Sequence, residues 1–225
     1  MKIPKLKGRL EYILSTIENN DGHFYDLCCD HGHLGLNVLK LYDFSKIFLI
    51  DQVPVIIEKL SLNIKDSDIP MPERLNIICL DATILKLKEN KVNTILIAGI
   101  GGDLAIKILE NLLPQLSIDD TVIISPHTEL LKVRSYLRSS SLRLVSEGLV
   151  KERHKYYEVI KLKLSPAYEK VSLIGDRLIE KSNKKELLEY FDEQIKYYEL
   201  KRKYSNKVIY EETLKEYKAS KIKLL

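Results

Sequence analysis

The chain has 225 residues, 45% of them hydrophobic and 30% charged, with 36 basic against 32 acidic side chains. That length buries a core without disulfide or metal staples, and a net charge of +4 excludes a histone-like polycation but not a local basic face. Three cysteines, Cys28 and Cys29 adjacent, exclude a secreted disulfide framework; no apolar run reaches a membrane span and no signal-peptide pattern follows the basic start, so a cytoplasmic protein is expected.

Residues 24–28 read as a short strand and 33–42 as a helix. Lys46–Asp51 (KIFLID) is a second strand, and a helix runs from Pro54 to about residue 65, with proline suited to the first turn. Residues 75–80 give a third strand and Asn93–Ala98 (NTILIA) a fourth. Gly99-Ile100-Gly101-Gly102 breaks that strand and opens a helix over 103–113. Thr121–Ser125 (TVIIS) is the fifth strand, followed by a helix over about 129–139. Strands alternating with helices predict an α/β fold, a parallel sheet covered on both faces. The runs 142–151 and 156–164, joined by the polar turn 152–155, predict an antiparallel hairpin. A Rossmann-like parallel sheet ending in such a hairpin resembles the layout of class I S-adenosylmethionine-dependent methyltransferases.

Composition shifts near Ser165-Pro166: beyond it lie no proline, one glycine (Gly175) and seven of the 13 tyrosines. Two domains are expected, 1–164 and a helical 165–225. Leu188, Phe191, Ile195 and Tyr198 form one apolar stripe, Ser205-Asn206 marks a break and N-cap, and Tyr210, Leu214 and Tyr217 repeat the spacing. They predict a coiled-coil-like helical hairpin, preceded by a short helix over 171–181.

Ligands of open α/β sheets sit beyond the carboxyl ends of the strands, facing helix N-termini. The first strand ends Asp26-Leu27-Cys28-Cys29-Asp30-His31-Gly32-His33, with no G-x-G-x-x-G fingerprint. Asp26 and Asp30 can each accept from an amino group or organise the loop. Asp51 ends the second strand, where a carboxylate bridges both hydroxyls of a ribose. Asp81 follows the third strand and can accept from an adenine amino group. The Gly99–Gly102 run permits close backbone approach beside a transferred methyl group. Ser125-Pro126-His127 lies across the same crevice. Two alternatives use the same residues: a metal held by Cys28, Cys29, Asp30, His31, His33 and Cys79, and a cysteine nucleophile activated by His31. Adjacent cysteines pointing apart and the lack of a C-x-x-C pair argue against the metal, and no metal is expected.

The motifs Asp26-Leu27-Cys28-Cys29-Asp30-His31-Gly32, Ile97-Ala98-Gly99-Ile100-Gly101-Gly102 and Tyr157-Glu158-Val159, in this order, resemble the bacterial tRNA (adenine-22-N1)-methyltransferase family, often called TrmK. Its first motif reads approximately D-I-G-S/T-D-H-x-Y-L-P and its fourth-strand motif I-A-G-M-G-G. The likeness spans nearly the whole chain, the helical tail being a coiled-coil domain in that family. It implies an S-adenosylmethionine site. Asp26, the Cys28 backbone, Asp30 and His31 would support the methionine end, and Asp51 with Gln52 the ribose. Asp81 and Ala82 would meet the adenine, and Ala98, Gly99 and Gly101 would line the methyl-transfer channel. Asp30, His33 and Gly99 would stand at the reacting base. The chain departs from the family at Cys28 (glycine there), His33 (tyrosine), Gly35 (proline) and Ser125-Pro126-His127 (Q-P-N).

Methylation at adenine N1 needs no base to create the nucleophile, because N1 has a free lone pair. A carboxylate, Asp30 the best placed, can stabilise the cationic product or take a proton from the exocyclic amine. The expected partner is tRNA, held through phosphates by three basic groupings. These are Lys2, Lys5, Lys7 and Arg9; Lys132, Arg134, Arg138 and Arg143; and Lys201, Arg202, Lys203 and Lys207, with Tyr197, Tyr198 and Tyr204 interleaved. A monomer is expected. A non-catalytic RNA-binding scaffold on the same fold, or a methyltransferase with another RNA site or a small molecule as acceptor, are the competing readings.

Overall fold

The structure is a computed structural model that describes residues 3–65, 73–88, 91–178, 183–205 and 208–224. Seven strands form one sheet: β1 (His23–Leu27), β2 (Lys46–Asp51), β3 (Leu75–Cys79), β4 (Asn93–Ala98), β5 (Thr121–Ser125), β6 (Arg143–Glu152) and β7 (Lys155–Lys163). Their order is β3-β2-β1-β4-β5-β7-β6, parallel throughout except for β7, which runs antiparallel to both neighbours. The predicted parallel sheet with a terminal antiparallel hairpin is therefore present. The order reverses direction between β1 and β4, and crevices in such sheets open at that switch point.

The apolar strands follow from their position. All five residues of β1 are buried, because helices cover both sheet faces. Phe24 packs into one core cluster, with Leu34, Leu36 and Leu60 from α2 (His33–Leu41) and α3 (Pro54–Lys65). Its neighbour Tyr25 points to the other face, where Ile108 and Leu137 come from α4 (Gly102–Leu112) and α5 (Leu130–Ser139). The first face also carries α1 (Gly8–Thr16), whose Ile13 is buried. The sequence reading places no element before residue 24 and so misses this helix, which packs across β6 with Tyr12 against Gly148.

Other boundaries move slightly. β1 stops at Leu27, because Cys28 has a left-handed φ of 57°. The β6–β7 turn is only Arg153-His154, with Arg153 left-handed, rather than four residues. No helix forms over 171–177, where Ser172 and Gly175 make turns instead; the rest of that expected helix, 179–181, lies outside the described residues.

The tail forms two packed helices, α6 (Lys184–Tyr204) and α7 (Val208–Leu224), with Lys221 on Asp192 and Lys218 on Glu199 showing an antiparallel run. Asn183 caps α6 by accepting from the Lys185 amide at 2.9 Å. Ser205 ends it, as expected, and Asn206 is outside the described residues. The buried stripe begins at Leu187 rather than Leu188 and adds Tyr190, because the tail packs on the β-hairpin as well as on itself. Leu187, Phe191, Tyr198, Leu214 and Tyr217 share one cluster with Leu131, and Leu149 and Tyr156 of the hairpin pack against it.

The joint is also polar. Arg134, on α5 and 0% exposed, donates from Nε to Glu158 at 2.7 Å and from Nη2 to Glu147 at 2.6 Å. Its Nη1 donates to the Ser172 carbonyl, and the Tyr190 hydroxyl of α6 donates to the other oxygen of Glu158 at 2.6 Å. The Arg177 amide completes Glu147 at 2.8 Å. This corrects the reading of Arg134 as a phosphate contact. Its companions are engaged too: Lys132 with Asp103 and Glu129, Arg138 with Glu212 and Glu216, and Arg143 with the carbonyls of Ser140 and Leu142.

Candidate active site

The crevice at the switch point is built by the turns after β1, β2, β4 and β5. Cys28, Asp30 and Gly32 all take left-handed φ (57°, 50° and 65°), a concentration of strained backbone in five residues that suits a functional turn. Hydrogen bonds hold it. The Cys29 amide donates to the Ile50 carbonyl at 3.0 Å, and the Asp30 amide donates to Asp51 Oδ2 at 3.1 Å. Asp51 Oδ1 accepts from the Val53 amide at 3.0 Å, so one buried carboxylate fixes the turns after both β1 and β2.

Asp26 sits one strand over, 5% exposed, accepting from the Gly35 amide at 2.9 Å. A proline at residue 35, as the resembling family has, would lack that donor. Burial, reinforced by the charge of Asp51, pushes the Asp26 carboxyl up to about 7; the Gly35 bond opposes this only in part. Its folded value exceeds its ordinary 3.8, so the stability it contributes is complete below that value and is lost as pH rises through about 7. Ligand-free protein is therefore expected to melt several degrees lower at about pH 8 than at about pH 5.5 on this account. Asp26→Asn should flatten that difference in thermal scans; an unchanged pH dependence in the variant would exclude Asp26 as its source.

The remaining predicted residues fall into two groups. Asp30 and His31 are exposed on the turn, 3.7 Å apart, and the His31 ring stacks on His33 at the start of α2 with centroids 5.7 Å apart. Gln52 is exposed beside Asp51. Asp81 lies further out and caps the 3-10 turn Ala82–Ile84, taking Thr83 N and Oγ1 on one oxygen at 2.8 Å each. The Ala82 methyl is buried in the core, so any ligand contact it makes goes through its backbone.

Cys28 is half-buried and packs against the core cluster that holds Ala82. Burial, with Asp51, Asp26 and Asp81 adding to it, pushes its thiol up to about 11. It is protonated at neutral pH, which corrects the reading of an activated cysteine nucleophile. The candidate metal residues do not converge: among the described residues no group of three or more His, Cys, Asp or Glu is placed to hold an ion.

The opposite wall is the turn 99–102. Gly99 has φ 81° and donates to the Ser125 carbonyl, the His127 amide donates to the Ile100 carbonyl, and Gly101 bridges Thr128. A side chain at residue 102 would stand 2.8 Å from Glu129 Cβ and 2.9 Å from its carbonyl oxygen, which only glycine avoids. At Gly99 the crevice is lined by backbone, and Arg9 Nη2 is the nearest atom a β-carbon there would meet, at 3.8 Å. His127 is exposed, its ring 5.5 Å from that of Tyr157. Arg9, read from sequence as one charge of a basic N-terminal grouping, is buried over the Tyr157 ring; its spacing of four and eight residues from buried Ile13 and Ile17 is the signal of a packed face.

From His127 a groove of about 860 Å3 runs past Lys155 and Tyr157 to Tyr190, Tyr197 and Lys201 on the tail. Tyr198 is packed, as expected of the tail tyrosines, while Tyr197 and Tyr204 are 49% and 83% exposed. Lys201 lies over the Tyr197 ring at 5.4 Å, and Lys201, Arg202 and Lys203 are solvent-facing. Lys2 and Lys207 lie outside the described residues.

A family model described as "Methyltransferase domain" matches residues 6–160, which holds every strand-end acid and the glycine turn. The chain belongs to this methyltransferase-domain family. A Mycoplasma genitalium protein provisionally named tRNA methyltransferase MG248 is 25% identical over 205 residues, 88% of this chain and 90% of the relative. The structure of the B. subtilis M1A22 tRNA methyltransferase TrmK superposes with a TM-score of 0.71 at 22% identity, covering 98% and 97% of the two chains. M. capricolum TrmK, solved with S-adenosyl-homocysteine, gives 0.75 at 17% identity over 97% of each chain. The fold is thus shared along the full length, so the methyltransferase domain and the tail beyond the family match recur together. The fold that the motif resemblance implies is matched by these structures. Among the described residues no helix is long and apolar enough to cross a membrane.

Proposed function

We propose that the protein is an S-adenosylmethionine-dependent methyltransferase that modifies N1 of adenine 22 in tRNA, as a cytoplasmic monomer. The observation that carries this reading is the crevice itself. Buried carboxylates end β1 and β2, an open glycine turn ends β4, and a lysine- and tyrosine-lined groove leads away to the tail. The donor set fits the cofactor. Asp26 has no cation among the described residues and suits an ammonium, while Asp51 beside the exposed Gln52 suits ribose hydroxyls. Asp81 keeps an oxygen for an adenine amine.

Bound S-adenosylmethionine supplies an electrophilic methyl group. The chain's work is orientation: Ala98, Gly99 and Gly101 leave room for the incoming base, and holding two reactants in line is worth roughly 7–11 kcal/mol. A paired adenine hides N1, so the base must be extruded or met unpaired to reach the turn. Asp30 is the exposed carboxylate at the mouth, placed to stabilise the ring cation or accept a proton from the exocyclic amine, with His33 beside it. We assign residues 1–164 to cofactor binding and chemistry and 165–225 to holding tRNA.

Methylation of unmodified tRNA with labelled cofactor, followed by mapping of the modified base, tests this. Label at adenine 22, lost when that base is replaced by guanine, is the expected result. A folded protein that binds cofactor and tRNA yet transfers no methyl group would point to the scaffold reading. Transfer to another position would move the acceptor and leave the chemistry.

A further inference from the structure

Most buried charges among the described residues are partnered. Arg134, Glu147 and Glu158 bond one another, Lys161 bonds the Thr16 carbonyl and Glu18, and Asp120 accepts the amides of Asn93 and Ser117. Arg9 is different. Its side chain is 8% exposed, and its Nε and Nη1 are sealed from water with no hydrogen-bond partner among the described residues. Its guanidinium lies over Tyr157, 4.8 Å from the ring centroid. The third nitrogen, Nη2, points at the glycine turn, 3.8 Å from where a β-carbon on Gly99 would stand. A guanidinium withdrawn from water without an acceptor is costly, and native proteins leave such groups where a ligand completes them.

The surroundings identify the side of the crevice. Arg9 acts electrostatically on His127, and the groups acting on it are Tyr157 and Glu152, all from the β5–β7 side. Lys155 completes the cluster, its Nζ lying 5.4 Å from the Tyr157 ring centroid and donating to the His127 carbonyl at 3.3 Å. Two cations, an aromatic ring and an imidazole, with the Glu152 carboxylate nearby, thus meet between the glycine turn and the groove that begins at His127.

We propose that Arg9, with Lys155, His127 and Tyr157, forms an anion site for the acceptor: it takes the backbone phosphate next to the base that enters beside Gly99. The inference rests on the RNA reading above and adds the point at which that RNA is gripped. A phosphate reached through the turn-facing Nη2 provides an acceptor and a negative charge beyond that of Glu152, and arginine's planar fork suits it. Tyr157 holds the guanidinium plane in place from behind. Buried Arg9 then registers the nucleotide that enters, while the exposed lysines of the tail supply general attraction.

Arg9→Met tests the site, with Arg9→Lys beside it. Expected for Arg9→Met is a KM for unmodified tRNA raised at least about tenfold, with a salt dependence of log KM lowered by about one phosphate contact. S-adenosylmethionine affinity should stay within about twofold, and the melting temperature of the free protein should hold or rise, because an uncompensated buried charge is gone. Arg9→Lys should recover part of the KM. An unchanged tRNA KM with cofactor affinity down about tenfold would overturn the proposal and make the cofactor's carboxylate the ligand. A lowered melting temperature with both constants unchanged would overturn it in favour of a structural role. The wild-type arm separates the two readings: wild-type protein that binds cofactor but does not use tRNA removes the RNA reading and this site with it.

Discussion

Replacing Asp51 with alanine should weaken S-adenosylmethionine binding at least about 100-fold, equivalent to about 2.7 kcal/mol. The effect has two sources. The carboxylate accepts the amides of Asp30 and Val53, so its loss leaves two partly buried donors unpaired and releases the left-handed turn at residue 30. Hydrogen bonds to a charged group are worth roughly 1.5–3 kcal/mol each. The same side chain is the one we place on the ribose. Asp51→Asn keeps the volume but turns one acceptor into a donor facing a donor, and should fall between, at about tenfold. Calorimetric titration reads both variants, with circular dichroism to confirm folding. A folded Asp51→Ala protein that binds within about threefold of wild type would remove Asp51 from the site.

Arg134→Met should be the most destabilising single change. It leaves Glu147 and Glu158 buried without a cation, and breaking such a group costs about 3–5 kcal/mol. For a chain of this size that is a fall in melting temperature of roughly 6–20 °C. Burial already pushes the Glu158 carboxyl up, and without Arg134 it rises further. The variant's stability is then retained at acid pH and lost as pH rises through that raised value, so the deficit should widen from about pH 5 to pH 8. Adding Glu147→Gln and Glu158→Gln should return part of the loss, because the unpaired charges are then absent. A drop under about 2 °C in scanning calorimetry would mean that the pairing contributes little here. The same network makes truncation near residue 165 an unsuitable test of acceptor size: it would strip Tyr190 from Glu158 and uncover Leu131 and Tyr156.

The strand-end acids and the glycine turn were legible because sheet geometry forces them: a strand of five or six residues between helices has one carboxyl end, and Asp26, Asp51 and Gly99 stand at or next to it. The left-handed turn at Cys28 explains why the resembling family has glycine there, a constraint invisible without φ angles. The fate of the arginines was not legible. Arg134 looks like a member of a helix-surface cluster, and what buries it are Glu147 and Glu158, 13 and 24 residues away on the hairpin. Arg9 looks like one charge of a basic N-terminus until α1 is seen to pack over the sheet edge. The tail stripe shifted by one residue for a similar reason: periodicity reports a helix's own symmetry, whereas Leu187 and Tyr190 answer to the hairpin beneath. Charge and period are local signals, and these positions are decided by partners distant in the chain.

During synthesis this chain leaves the ribosome N-terminus first. When residue 164 has emerged, all seven strands are out and Arg134 can meet Glu147 and Glu158. The Ser172 carbonyl, the Arg177 amide and the Tyr190 hydroxyl that complete them are still inside the exit tunnel. The nascent protein therefore holds an open, water-wetted charge cluster and a bare apolar face around Leu131 until α6 arrives. Its sheet is finished early, but its outer wall closes only once α6 has followed it out.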